Sequence, residues 1–210
     1  MTPHKSKMFR CILDLSFTLF HKGVTYSSVN DKTRKIARPE AMAQLGLVIK
    51  RIIYTMALHR HHSPPFKFTK LDVKDGFWRM AVTNKDAWNF FYVLPSLQPQ
   101  KSLNEGELVV PNSLQMESCE SPPFFCSVSE TARDLMEKLR LIDLPPHRFE
   151  NIMIWDINVE DINQHNKGLV TLLKVYVDDF IALINDIRHT HLMSISRAML
   201  NGIHAIFSPP

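Results

Sequence analysis

Asp178 and Asp179 stand side by side in LVTLLKVYVDDFIALI, a run that is otherwise apolar apart from Thr171 and Lys174. Carboxylates are seldom left unpartnered among such residues, so something has to neutralise this pair. A third acid, Asp72, lies near the end of the alternating segment KFTKLDV. If it joins the pair, each two charges at about 4 Å repel by roughly 4 kcal/mol at an effective dielectric of about 20. That rivals the net stability of a domain, about 5–15 kcal/mol. A divalent cation removes the difficulty, and hard carboxylate oxygens with no nearby His or Cys select Mg²⁺, or Mn²⁺, over Zn²⁺. Two such ions about 3.5–4 Å apart support phosphoryl transfer. An Asp-Asp pair standing alone is more often a solvated turn.

The elements that must position these acids follow from periodicity. The alternation of KFTKLDV predicts a strand with Phe66, Phe68, Lys70 and Asp72 on one side and Asp72 near its end. The apolar run on either side of Asp178 and Asp179 predicts a buried β-hairpin whose turn presents the two acids. Upstream, MFRCILDLSFTLF over 8–20 reads as a strand entering a turn, followed by a polar loop. From Arg38 to about His59, Leu45, Ile49, Ile52 and Met56 recur at helical spacing, with Pro39 at the expected first helical position and Pro64 and Pro65 as a stop. Trp88 to Leu94 is strand-like, with Leu108 to Val110 as its expected partner. Helical spacing returns through Phe124, Val128, Ala132, Leu135 and Leu139. Residues 141–168 are read as an insertion, and a last helix is expected over about Arg188 to Ile206. The fold class expected is α+β.

Bulk composition bounds the function classes. The 210 residues are 45% hydrophobic, enough for one sizeable globular unit rather than a disordered chain. Cys11, Cys119 and Cys126 form no C-x-x-C pattern and are odd in number, which argues against a disulfide framework or a cysteine zinc site. No apolar run is expected to approach the roughly 20 residues that cross a bilayer, and the basic start lacks a small-residue cleavage site, so an intracellular protein without a membrane partner is expected. The balance of 25 basic against 21 acidic residues is compatible with a polyanionic partner without requiring one. The cluster His59, Arg60, His61, His62 has no second ligand group at metal spacing and reads as a solvated helix end.

Three segments in order, LDVKDGFW at 71–78, SLQMESCESPPFF at 113–125 and YVDDF at 176–180, resemble the palm motifs of reverse transcriptases, especially those of LTR retrotransposons. FRCILDLSF at 9–17 also looks like the fingers strand that precedes the first palm motif in that family. The resemblance implies a polymerase palm, an antiparallel sheet backed by helices, over 66–210. Partial fingers and a connecting helix would occupy 1–65. It implies template-directed DNA synthesis by metal-dependent nucleotidyl transfer as part of a longer retroelement polyprotein, with an RNA or DNA template, a primer and deoxynucleotides as partners. Thumb and RNase H segments would lie elsewhere in that polyprotein.

Carried over by position, Asp72 and Asp178 would bind the catalytic metals, with Asp179 as a weaker third carboxylate and Val73 lending a backbone carbonyl. Asp75 and Gly76 match positions whose backbone lies along the incoming triphosphate. Phe77 matches the ring that blocks a 2′-hydroxyl. Arg10 matches the fingers arginine over the nucleotide, and Lys5 or Lys7 stands in for the lysine on the terminal phosphate. Met116 fills the place where many relatives carry glutamine, with Gln115 as a displaced substitute. Ser121 and Pro122 match the start of the helix that grips the template, and Tyr176 the aromatic residue near the primer end. Glu117 and Ser118 stand where the family has Gly-Trp, and the glycine would give backbone freedom beside the nucleotide. That departure keeps a catalytically inactive relic, or a non-catalytic nucleic-acid-binding domain on the same scaffold, as the alternative.

Overall fold

The computed structural model describes residues 2–4, 7–10, 13–60, 65–94, 107–152, 170–185 and 188–208; for 2–4 and 7–10 only the backbone is described. In chain order the elements are β1 (Thr2–His4), β2 (Lys7–Arg10), β3 (Leu19–His21), β4 (Val24–Tyr26), α1 (Val29–Lys32), α2 (Glu40–Leu45), α3 (Val48–Leu58) and β5 (Lys67–Asp72). They continue with α4 (Asn84–Ala87), β6 (Tyr92–Leu94), β7 (Glu107–Val109), α5 (Ser121–Leu139), β8 (Thr171–Tyr176), β9 (Asp179–Ile184) and α6 (His189–Phe207). Small antiparallel sheets and separate helices make this an α+β chain. It divides into two compact units, Met1–Ala37 with Phe77–Pro122, and Arg38–Gly76 with Pro123–Pro210. The expected division at residue 65 runs along the sequence, whereas each compact unit draws on two stretches.

In the first unit, the polar loop expected after residue 20 is instead the return arm of a hairpin. His21 pairs with Val24 around Lys22 and Gly23, whose φ values of +50° and +77° are the two left-handed positions a tight two-residue turn needs. Ser28 caps α1 reciprocally: its Oγ accepts from the Asp31 amide, and the Asp31 carboxylate accepts from the Ser28 amide, each at 3.1 Å. Asn30 ties this end to the 117–119 segment, donating to the Glu117 carbonyl at 2.9 Å and accepting from the Cys119 amide at 3.0 Å. The strand expected from Trp88 shortens to β6, because Thr83 caps α4 and a 3₁₀ turn occupies Trp88–Phe90. β7 pairs with β6 as expected.

The second unit is organised around the sheet β5-β9-β8, antiparallel throughout with β9 in the middle. Its Phe180 through Ile184 are all buried, which explains a strand without polar alternation: both of its faces are covered. Ile181 and Leu183 join Val48 and Ile52 of α3 in one cluster, with Phe66 and Leu172 packed against it. On the opposite face Phe180 meets Phe207 of α6 edge-on at 6.2 Å, and Phe207 packs on Phe125 of α5 at 5.7 Å. Each fully buried Leu, Ile or Phe contributes about 1.5–3 kcal/mol, so this layering fixes the position of the β8–β9 turn. Gly202 lets α5 and α6 approach closely, since a Cβ there would lie 2.5 Å from Met136 Cγ.

Two expectations change in this unit. The helix predicted over 38–59 breaks into α2 and α3 at Gly46 and Leu47, and Pro39 caps α2 rather than opening it. The stretch Glu40–Leu58 is also, by length and composition, the one segment among the described residues that is apolar enough to cross a membrane, contrary to the expectation that none approaches that length. The expected insertion is described as far as a 3₁₀ turn at Glu150–Ile152, and 153–169 lie outside the described residues. Arg197 of α6 holds that part, donating to the Glu150 carboxylate at 2.8 Å and the Leu144 carbonyl at 3.0 Å.

Candidate metal centre

Strand register brings the three acids together. Asp72 ends β5 directly opposite Asp179, which opens β9, and Asp179 also faces Tyr176 at the end of β8. Asp178 therefore occupies the second position of a two-residue turn. The Asp178 carbonyl accepts from the Val73 amide at 3.1 Å, extending the β5–β9 ladder past Asp72 and fixing the turn against the strand exit. One carboxylate oxygen from each of Asp72, Asp178 and Asp179 lies within 4.8 Å of the others. Asp72 is exposed and the other two half-buried, so the cluster opens to solvent on one side.

The backbone around the cluster is constrained. Val177, first in the turn, has φ +58°, and Asp75, just beyond β5, has φ +56°. A positive φ at only the first central residue is the pattern of a type II′ hairpin, where glycine is favoured. At a β-branched valine it stores strain of about 1–3 kcal/mol. Sequence gave no signal for it, because a valine ordinarily argues for strand. Gly76 is buried, and a Cβ there would lie 2.8 Å from Phe125 Cζ and 3.5 Å from Asp178 Cβ. Only a residue without a side chain lets the β5 exit pass between the aromatic core and the acid.

Burial, first, holds the Asp178 carboxyl above the usual carboxylate range, reinforced by the charges of Asp72 and Asp179 and opposed by its own backbone amide and by Lys70. Lys70 Nζ sits 2.7 Å from Asp179 Oδ1. The alternation of KFTKLDV sets Lys70 on the side of Asp72 without pointing to any role for it. The period-two signal was present in KFTKLDV; its partner, 109 residues away, was not.

The remaining expected site residues divide between the units. In the second, the Val73 carbonyl accepts from the Gly76 amide at 3.1 Å and keeps one lone pair, Asp75 is exposed, and Tyr176 is 43% exposed beside the acids. Arg10, Phe77, Gln115, Met116, Ser121 and Pro122 belong to the first unit. Arg10 lies in β2, paired with Thr2, and Lys7 in the same strand, whereas Lys5 is outside the described residues. Phe77 is buried and Met116 exposed. Gln115 is buried and donates to the Ser113 carbonyl at 2.9 Å, a commitment to its own loop. Ser121 opens α5 with its hydroxyl buried, and Pro122 occupies the first turn, where a missing amide costs nothing. Glu117 is exposed and is absent from the left-handed positions Lys22, Asp75 and Val177, so its backbone does not need glycine. Ser118 is buried.

No protein-family model matches the chain, and no curated protein is detectably similar to it.

Proposed function

We propose that this chain is the fingers-and-palm part of an RNA-directed DNA polymerase that extends a primer with deoxynucleotides. The observation that carries the reading is the convergence of Asp72, Asp178 and Asp179, with oxygens within 4.8 Å, on adjoining strand ends of an antiparallel sheet backed by helices. The all-oxygen donor set fits Mg²⁺ or Mn²⁺, and ions held by Asp72 and Asp178 would supply the Lewis acidity for phosphoryl transfer. The chain's own residues hold the site in shape. Val73 anchors the turn through its amide, strained Val177 turns Asp178 toward Asp72 and Asp179, and Gly76 keeps the β5 exit clear of a side chain. The ordered segments LDVKDGFW, SLQMESCESPPFF and YVDDF support the polymerase class over other metal-dependent phosphoryl transfer.

The test is deoxynucleotide incorporation on a homopolymer template with an annealed primer and Mg²⁺ or Mn²⁺, comparing the parent with Asp72→Ala. Incorporation that falls to background in the variant is expected, and equal incorporation by both overturns the proposal. A second reading, a non-catalytic descendant, draws on Glu117 and Ser118 in place of Gly-Trp. It is favoured if Mn²⁺ raises the melting temperature of the parent but not of Asp178→Asn while neither protein incorporates nucleotide.

A further inference from the structure

Lys70 is a cation in direct contact with the acidic cluster, and the sequence resemblance assigns it no role. Alternation along β5 puts it two residues before Asp72 on the same, more exposed, side of the strand. The register pairs Lys70 with Ile181 and Asp72 with Asp179, so Lys70 reaches Asp179 diagonally. A diagonal neighbour stands about 7–8 Å away between Cα atoms, a span a lysine stem covers. The contact is direct at 2.7 Å, and both side chains keep solvent access, 53% for Lys70 and 29% for Asp179, so it is an exchangeable pair rather than a locked one.

We infer that Lys70 is a tethered counter-cation of the cluster, occupying Asp179 so that a divalent ion is taken first by Asp72 and Asp178. The inference rests on the metal-binding reading of the cluster and assigns it an internal regulator. Three carboxylates carry −3, and the ammonium reduces this to −2, the charge that one divalent ion neutralises. A second divalent ion then needs Asp179, and Lys70 must release it. An ammonium on a flexible stem, strongly hydrated once freed, suits that exchange better than a planar guanidinium would. Lys70 thereby weakens the site for ions in general and disfavours filling beyond the first.

Mn²⁺ binding to the whole chain, followed by the electron paramagnetic resonance signal of free Mn²⁺, tests this without any activity readout. The proteins are the parent, Lys70→Gln, Lys70→Arg, Asp178→Asn, Asp179→Asn and the Lys70→Gln/Asp179→Asn double variant. Lys70→Gln is expected to bind Mn²⁺ about tenfold tighter, roughly the effect of removing one nearby like charge from a divalent ion in a solvent-exposed site. Lys70→Arg, which keeps the charge on a less readily released group, should bind no tighter than the parent, and removing Lys70 from Asp179→Asn should produce a clearly smaller gain. Binding by Lys70→Gln alone also supports the inference. Asp178-dependent binding by the parent with Lys70→Gln no tighter overturns the inference and leaves the metal reading intact. If no protein binds Mn²⁺, or Asp178→Asn binds as the parent does, the metal reading fails and the inference with it. Since Lys70 is half exposed, urea denaturation of each variant checks that the fold is retained.

Discussion

Adding one methyl group at Gly76 tests whether the β5 exit is clamped as described. A Cβ there would meet Phe125 Cζ at 2.8 Å and Cε2 at 3.1 Å. Phe125 is 0% exposed and packs on Phe207 with ring centroids 5.7 Å apart, so its ring has nowhere to retreat. Overpacking of this kind costs about 1–3 kcal/mol. A value near 2 kcal/mol corresponds to a fall in Tm of about 4–8 °C for a chain of this size. The assay is urea and thermal denaturation of Gly76→Ala, Phe125→Leu and the double variant. Shortening Phe125 alone leaves a cavity and destabilises, but it also clears space for the new methyl. Gly76→Ala should therefore cost less than about 0.5 kcal/mol in the Phe125→Leu background, a coupling of more than about 1 kcal/mol between touching residues. A Gly76→Ala protein within about 1 °C of the parent, or strictly additive variants, would show that Phe125 does not hold the β5 exit.

The pH dependence of the cluster has a definite sign. Because the Asp178 carboxyl is held above its ordinary range by burial and by its acidic neighbours, its ionised form costs stability at neutral pH. That cost is relieved as pH falls through the raised pKa, and no further gain comes below the unfolded aspartate value of about 3.9. With chelator present, Asp178→Asn should be at least as stable as the parent at pH 7, its advantage vanishing near pH 4; a clear loss in urea midpoint at pH 7 would contradict this. Val177→Gly should relieve the left-handed strain at φ +58° and outweigh glycine's unfolded-state entropy, raising stability by about 0.5–1 kcal/mol; a drop of similar size would mean the turn carries no strain. Burial, with Glu130 nearby, pushes the Cys126 thiol up to about 11, so it should resist alkylation at pH 8 while half-buried Cys119 is modified. Peptide mapping by mass spectrometry reads the outcome, and equal labelling of both in native protein would contradict the burial.

Local sequence determined the elements whose pattern agrees with their packing. The unbroken apolar run Phe180–Ile184 belongs to a strand covered on both faces; the helical spacing from Phe124 to Leu139 located α5, but the face the helix buries is that of Phe125, Cys126, Ala132 and Met136, with Phe124 exposed. The hairpin at Asp178 and Asp179 was legible as a polar step between two largely apolar strands, although the turn itself is Val177-Asp178 and Asp179 already belongs to β9. Local reading failed where a short-range preference is ambiguous. Lys22-Gly23 makes a hairpin turn inside a stretch that reads as loop, and Gly46 splits a helix whose apolar spacing continues across it.

Tertiary structure alone decided which groups meet. Nothing near Asp72 specifies register against Asp179, nor near Lys70 a partner 109 residues on, because register is set by how the buried central strand β9 packs between its neighbours. The left-handed Val177 is likewise imposed from outside, since a valine adopts that conformation only where surrounding contacts outweigh its own preference. Sequence thus supplied the acids and the strands that carry them; the packed sheet supplied their proximity, their counter-cation and the strain beside them.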